Sequence, residues 1–270
     1  MEHNPARWKA DFEQDGYLVV EDVLDKQTLS TLRAGIERIT ADPDALPDHL
    51  RRYIQFERDY VAKRPDQNDH AAAQVGNAVR NIMELPLFDR AFAELIAYEP
   101  LLDVLEALFE SGEFHLHNYK CIVKAPRISS GFLWHRDLPY LKHSTSNLIT
   151  ALLCLDDMSA ANGATVVLPG THRIGHEDVL DTDVDLPEDV LPDVPRMLVE
   201  CPGGSAVLFH VNIIHGGGAN RSDVPRRNLV GIWAGPDAHP VTPARYAYQG
   251  LMPRSADPAR QRQVQMTLKP

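Results

Sequence analysis

At 270 residues and 44% hydrophobic, the chain can bury a substantial core and is most simply a single domain, since barrels run to about 200–250 residues as one unit. Its 38 acids against 27 bases give a formal charge of −11, which argues against a nucleic-acid partner, and no apolar run approaches the roughly 20 residues that span a bilayer. The first residues lack a signal peptide's apolar core and the three cysteines, Cys121, Cys154 and Cys201, are widely scattered, so we expect reduced, buried thiols in a cytoplasmic protein.

In the first part of the chain the apolar spacing is helical. Asp25 stands where it would cap an amphipathic helix in which Leu29, Leu32, Ile36 and Ile39 recur. Residues 41–80 are polar with few apolar anchors, and we expect irregular structure there, mobile over a site. From Phe88 to Phe109 the spacing is helical again, with Pro100 opening a helix that carries Leu101, Leu105 and Leu108. The expectation is a helical part over residues 1–112 that covers the core.

From Phe114 the pattern changes to short β-rich runs punctuated by turn signals: 114–124, 131–137, 147–155, 164–168, 205–214 and 227–234. Such runs without intervening helices predict a mainly β protein, an antiparallel sandwich or barrel over 113–235 with flanking α-helices, followed by a tail over 236–270. Alternation along 114–124 places His115, His117, Tyr119, Cys121 and Val123 on one face, and Leu116, Asn118, Lys120, Ile122 and Lys124 on the other.

Three side chains stand out as metal ligands. His135 and Asp137 are two apart, a spacing that on a strand points both to one face while Arg136 looks away. His215 follows an apolar run, Val207-Leu-Phe209 and Val211-Asn-Ile-Ile214, that reads as a buried strand ending at this histidine. Two imidazoles and one carboxylate with the opposite coordination face open are the arrangement of a non-heme iron centre. Gly216, Gly217 and Gly218 permit a reversal, and 227–234 reads as the returning strand, with Arg226 at the start of a strand antiparallel to the one ending in His215. The planar fork of Arg226 suits a carboxylate behind the metal, so a dicarboxylate cosubstrate would chelate iron at one end and anchor to Arg226 at the other.

At Trp134-His-Arg-Asp137, Leu155-Asp-Asp157, Asn162 to Arg173 and His215 to Arg226 the chain resembles the phytanoyl-CoA dioxygenase family, and Asp11 to Val20 is similar to that family's opening segment. The resemblance implies a double-stranded β-helix (jelly roll, cupin-like) and an iron(II)/2-oxoglutarate-dependent oxygenase that consumes dioxygen. His135, Asp137 and His215 would be the iron ligands, and Arg226 would hold the distal carboxylate of 2-oxoglutarate. Asn118 or Lys120, with Thr150, would meet the metal-proximal carboxylate. Arg136, Gly217 and Leu152 stand where the family often has glutamine, serine and tryptophan, which leaves the ligands intact and changes the pocket around them.

The insertion from Glu177 to Asp193 carries eight acids and no Lys or Arg. It lacks the glycine and glutamate of an EF-hand and reads as a solvated loop, or else as a lid that attracts a basic substrate group. Phe132, Trp134, Tyr140 and Trp233 are candidates to line the cavity. The reading reached is a dioxygenase that hydroxylates an unactivated C–H bond of a small-molecule substrate, a secondary metabolite or small acid; the Asp137 carboxylate favours hydroxylation, or a related desaturation or cyclisation, over halogenation. Two rivals stand beside it: a cupin-like metal enzyme of non-oxygenase type (hydrolase or isomerase), which has no need of Arg226, and a jelly-roll binding module without chemistry.

Overall fold

The computed structural model describes residues 4–64 and 70–254. Its strands in chain order are β1 (Tyr17–Val20), β2 (Ile54–Phe56), β3 (Val79–Ile82), β4 (His115–Lys124), β5 (Phe132–His135), β6 (Leu148–Cys154), β7 (Thr165–Val167), β8 (Met197–Leu198), β9 (Ala206–His210), β10 (His215–Gly217) and β11 (Arg226–Ala234). They form a seven-stranded sheet, β1-β9-β6-β11-β4-β3-β2, and a four-stranded sheet, β5-β10-β7-β8, and the pairings are antiparallel. This is the double-stranded β-helix.

Helices cover the outer face of the larger sheet. Pro5–Asp15 is capped by the Asn4 side chain and ends at Gly16, whose φ of 80° suits glycine; a Cβ there would sit 2.3 Å from Nδ1 of His172. Lys26–Ala41 starts at Asp25, whose carboxylate accepts from the N–H groups of Gln27 and Thr28, as its sequence predicts. In the middle of that helix Gly35 makes room for Phe92, whose Cζ would lie 2.7 Å from an added Cβ. Phe12, Ile36, Phe92 and Leu105 from the helices pack with Tyr119, Ile149 and Leu208 of the sheet in one core. Each such side chain contributes about 1.5–3 kcal/mol on burial. The residues alternating with these, among them Leu152, Phe209 and Val230, face the second sheet and form a separate interior cluster.

Several expectations change. Residues 41–80 are not irregular: Asp48–Arg51, Glu57–Lys63 and Ala72–Val75 are helical, and β2 and β3 extend the larger sheet beside β4. The helical part over 1–112 therefore holds β1, β2 and β3. Charged residues in this stretch are what misled, because Glu57 and Arg80 form a buried ion pair at 3.1 Å, with side chains 0% and 4% exposed. Residues 65–69 lie outside the described residues, as do 255–270 of the tail. The nearer part of the tail returns to β4, where Gly250 N–H donates to Leu116 O at 2.8 Å and Leu116 N–H to Leu251 O at 2.9 Å.

The run expected as one strand over 205–214 is two. β9 stops at His210, whose carbonyl accepts from Ile213 N–H at 2.9 Å in a turn, and the chain crosses to the smaller sheet, where His215 opens β10. Arg226 consequently does not start a partner of the strand bearing His215; β11 lies in the larger sheet between β4 and β6. Strand β4 also departs from plain alternation. Its register with β11 skips His117, pairing Asn118 with Ile232 and Leu116 with Trp233, so Leu116 joins the helix-side core with Tyr119 and Cys121, as a bulge requires. Among the described residues no helix is long and apolar enough to cross a membrane.

Candidate metal centre

The described residues hold one group of three side chains with metal-ligand donors in mutual reach: His135, Asp137 and His215, whose donor atoms lie within 4.8 Å of one another. His135 ends β5 and His215 opens β10, and the two are register partners with ring centroids 4.2 Å apart. Asp137 is not on the strand. It sits at φ −78°, ψ −33° at the start of a helical turn, Leu138–Leu141, and its N–H donates to Val211 O at 2.9 Å. The turn, rather than strand alternation, brings its Oδ1 to 3.8 Å from His135 Nε2 and 3.9 Å from His215 Nε2.

Backbone contacts orient both imidazoles. His135 Nδ1 is 2.7 Å from Leu133 O and His215 Nδ1 is 3.1 Å from Ile213 O, so each Nδ1–H donates to a carbonyl and each Nε2 lone pair points to the shared space. Burial, with His135 adding to it, pushes His215 down to about 4, and it is neutral at pH 7. Burial alone would raise the Asp137 carboxyl, but His215, His135 and Lys120 nearby and the Thr150 hydroxyl outweigh it and hold it below the usual carboxylate range. A neutral His215 and an ionised Asp137 are the states in which these side chains bind a divalent cation, and the donor set with His135 fits iron.

A cavity of about 80 Å³ opens from this centre between the sheets, lined by residues of both. Arg226 lines it from the first position of β11. It is 3% exposed, its Nε has no hydrogen-bond partner, and its Nη1 meets only the thioether of Met158, at 3.4 Å. Burial pushes its pKa down to about 10. A buried guanidinium with no carboxylate is costly, and an entering carboxylate would relieve it. Its register partner Lys124 also lines the cavity, with Nζ donating to Gly163 O at 3.0 Å and to Gly218 O.

The remaining sequence candidates separate. Lys120 lines the cavity. Thr150 lines it too, but its hydroxyl donates to Asp137 Oδ2 at 2.6 Å. Asn118 shares the row of Thr150 across Ile232 and its Oδ1 is buried without a partner, yet it is not among the cavity's lining residues. Phe132 is a wall of the cavity. Trp233 is not: it is fully buried and packs edge-on against Phe114 on the helix side. Tyr140 lies beside His135, centroids 6.2 Å apart, and is 54% exposed.

Sequence reasoning passed over two features. The Glu57–Arg80 pair grips the residues just before β5: Ser130 N–H donates to Glu57 Oε1 at 2.9 Å and Arg80 Nη2 to Gly131 O at 3.0 Å, while the Arg80 guanidinium lies 4.1 Å from the Phe132 ring centroid. The acidic insertion is also docked rather than simply solvated. Leu186 pairs with Trp134, and Asp181, Asp183, Asp185 and Glu188 meet Lys142, Arg136, Arg64 and Arg196. Only a fold places those cations opposite those acids, so no sequence signal was available for it.

Two histidines and a carboxylate converging inside a double-stranded β-helix define the class of non-heme iron oxygenases. The chain belongs to the phytanoyl-CoA dioxygenase (PhyH) family, whose sequence profile matches residues 12–228, and so to the iron- and 2-oxoglutarate-dependent dioxygenases. Among curated relatives, the ectoine dioxygenase of Nocardia farcinica is 25% identical over 240 residues, covering 81% of this chain and 74% of that protein. Two solved structures share the fold. EctD from S. alaskensis with bound iron has a TM-score of 0.69 at 24% identity, over 87% of this chain and 79% of that one. The epimerase SnoN, in complex with Fe3+, alpha-ketoglutarate and nogalamycin RO, has a TM-score of 0.69 at 20% identity, over 94% and 96%.

Proposed function

We propose that this protein hydroxylates an unactivated C–H bond of a small molecule, a secondary metabolite or small acid, with iron held by Nε2 of His135, Oδ1 of Asp137 and Nε2 of His215. Arg226 takes the distal carboxylate of 2-oxoglutarate and Lys120, which lines the cavity and acts electrostatically on Asp137, takes the metal-proximal one. The bound iron, with 2-oxoglutarate and dioxygen, supplies the oxidation, which leaves succinate and carbon dioxide as the cosubstrate's products.

The protein's own residues position and exclude. The carbonyls of Leu133 and Ile213 keep each imidazole in one tautomer and one orientation. Asp137 fills the third protein position with an anion, which favours hydroxylation over chemistry that needs a halide there. Phe132 and Phe209 wall the cavity and keep water from the reacting carbon.

The observation that carries this reading is Arg226, a buried cation that lines the cavity and whose Nε has no hydrogen-bond partner among the described residues. With iron(II), ascorbate and oxygen, the purified chain is expected to convert 2-oxoglutarate to succinate slowly even without its substrate. Arg226→Ala removes one side of a buried charge pair, a loss of about 2 kcal/mol or more, so the 2-oxoglutarate requirement should rise about 30-fold while iron binding is spared. An unchanged requirement refutes the role of Arg226. Analysis of the coupled product for an added oxygen atom separates hydroxylation from the epimerisation for which SnoN is named.

A further inference from the structure

Behind Arg226 lies a pair of thiols. Cys154 ends β6 and Cys201 lies in the segment that leads to β9, 47 positions later, with their Sγ atoms 3.7 Å apart. The two are 0% and 7% exposed. They have a direct line of contact to the guanidinium. Cys201 exchanges two backbone hydrogen bonds with Met158, at 2.8 and 3.1 Å, and the Met158 sulfur accepts from Arg226 Nη1 at 3.4 Å and from Asn228 Nδ2 at 3.6 Å. Among the described residues no carboxylate forms an ion pair with Arg226, and its Nη1 rests on Met158.

We propose that Cys154 and Cys201 are a site of reversible oxidation, and that closing them into a disulfide loosens the grip of Arg226 on the cosubstrate. The first half stands on the thiol geometry alone; the second rests on the reading of Arg226 given above. A disulfide holds its sulfurs about 2.05 Å apart, so closure draws these two together by about 1.7 Å. The two sides do not yield equally. Cys154 is fixed in the middle of the larger sheet, in register with Asn228 of β11 and bonded to Ser205 O and Gly204 N–H. Cys201 is tied to an isolated two-residue bridge, so the movement falls on Cys201 and carries Met158 with it.

The oxidant is a peroxide, a molecule about the size of two waters, and Cys201, 7% exposed, is the more accessible of the two residues. The Cys201 thiolate attacks one peroxide oxygen and the O–O bond breaks, giving a sulfenic acid and one water. The Cys154 sulfur then attacks the sulfenic sulfur and expels the second water. The pair loses two electrons and two protons, and hydrogen peroxide becomes two waters. A dithiol reverses the step. The neighbouring Cys154 thiol, by hydrogen bonding, lowers the pKa of Cys201, which supports Cys201 as the attacking sulfur. Cys121 lies on the opposite, helix-packed face of its strand and serves as the internal control.

The test uses the full chain stripped of iron by a chelator, so that hydrogen peroxide meets the thiols alone. After oxidation, alkylation and digestion, mass spectrometry is expected to find a peptide linking Cys154 to Cys201, lost on treatment with dithiothreitol, while Cys121 stays alkylated. Reloaded with metal without oxygen, the oxidised chain should bind 2-oxoglutarate at least 5-fold more weakly by calorimetry, and reduction should restore binding. Cys201→Ser and Cys201→Ala should show neither effect. Two alkylated thiols, or unlinked sulfinic acids, overturn the site. A linked chain with unchanged affinity overturns the coupling to Arg226. If the reduced protein binds no 2-oxoglutarate, the proposed function and the coupling fall together while the disulfide result is unaffected.

Discussion

The Thr150 hydroxyl donates a 2.6 Å hydrogen bond to Oδ2 of Asp137, which leaves Oδ1 as the atom aimed between the two imidazoles. A hydroxyl that orients a ligating carboxylate in this way commonly accounts for about 10–100-fold in metal affinity. Thr150→Val keeps the shape and deletes the donor, so iron affinity should fall by about that factor in a titration against a chromophoric chelator. Thr150→Ser should stay near the parent. Equal affinity in the valine variant would mean that the backbone alone places Asp137.

The buried Glu57–Arg80 pair is the contact by which the segment around β2 and β3 holds the start of β5. Removing one partner strands the other charge where water does not reach, at a cost of about 3–5 kcal/mol. Glu57→Gln should therefore lower the thermal midpoint by about 6–20 °C, given about 2–4 °C per kcal/mol for a chain of this size. Replacing both together by apolar residues of similar volume should recover a large part of that loss, which a double-mutant cycle followed by calorimetry reads directly.

These two pairs mark where the sequence was legible and where it was not. The candidate triad was legible because His135 and Asp137 form a short local pattern and His215 ends a distinct apolar run followed by three glycines, and the structure brings the donor atoms of all three together. The route by which they meet was not legible, since Asp137 reaches the centre from a helical turn and His215 from a strand in a different sheet from His210. An apolar run shows that 207–214 is buried; it does not show that the chain changes sheets within it. The bulge at His117 leaves no trace in hydropathy, yet it reverses which face Leu116 occupies. Glu57 and Arg80 fall in the polar stretch 41–80 that the sequence presents as irregular, and only the fold reveals that they are partners.

The acidic insertion is bound to the body largely through charge. Its Asp185 and Asp183 lie 3.1 Å from Arg64 and Arg136, and Asp181 lies 2.6 Å from Lys142. Asp185–Arg64 and Asp181–Lys142 are solvent-exposed pairs that contribute about 0–1 kcal/mol each, whereas Asp183–Arg136 is largely buried; the screening length that acts on the exposed pairs shrinks from about 10 Å at 0.1 M salt to about 3 Å at 1 M. Limited proteolysis within residues 177–193 should accelerate several-fold between those salt concentrations, with Asp185→Asn and Asp183→Asn reproducing part of the effect at low salt. A cleavage rate indifferent to salt would assign the docking to the Leu186–Trp134 backbone pairing instead.

Histidines away from the metal centre set the acid limit of the fold. His117 is 4% exposed and is pushed down to about 3, by burial first and then by His143 and His115. His115 is pushed down to about 4 by burial, with His143 and His239 adding to it, and burial likewise lowers His143. The His117 and His143 rings meet edge to face, 4.8 Å apart, so protonating one opposes protonating the other. In the unfolded chain each titrates near the ordinary value of about 6.5. Between that value and the folded one the unfolded state binds more protons, so stability is fully present above pH 6.5 and is lost as pH falls toward 4. For a histidine as buried as His117 the slope approaches about 1.4 kcal/mol per pH unit. Denaturant titrations of the metal-free chain from pH 7.5 to 4.5 should show this decline, and His117→Gln, which keeps a polar side chain but cannot take up the proton, should flatten it. If the glutamine variant loses stability with the same slope as the parent, the acid sensitivity originates in other groups.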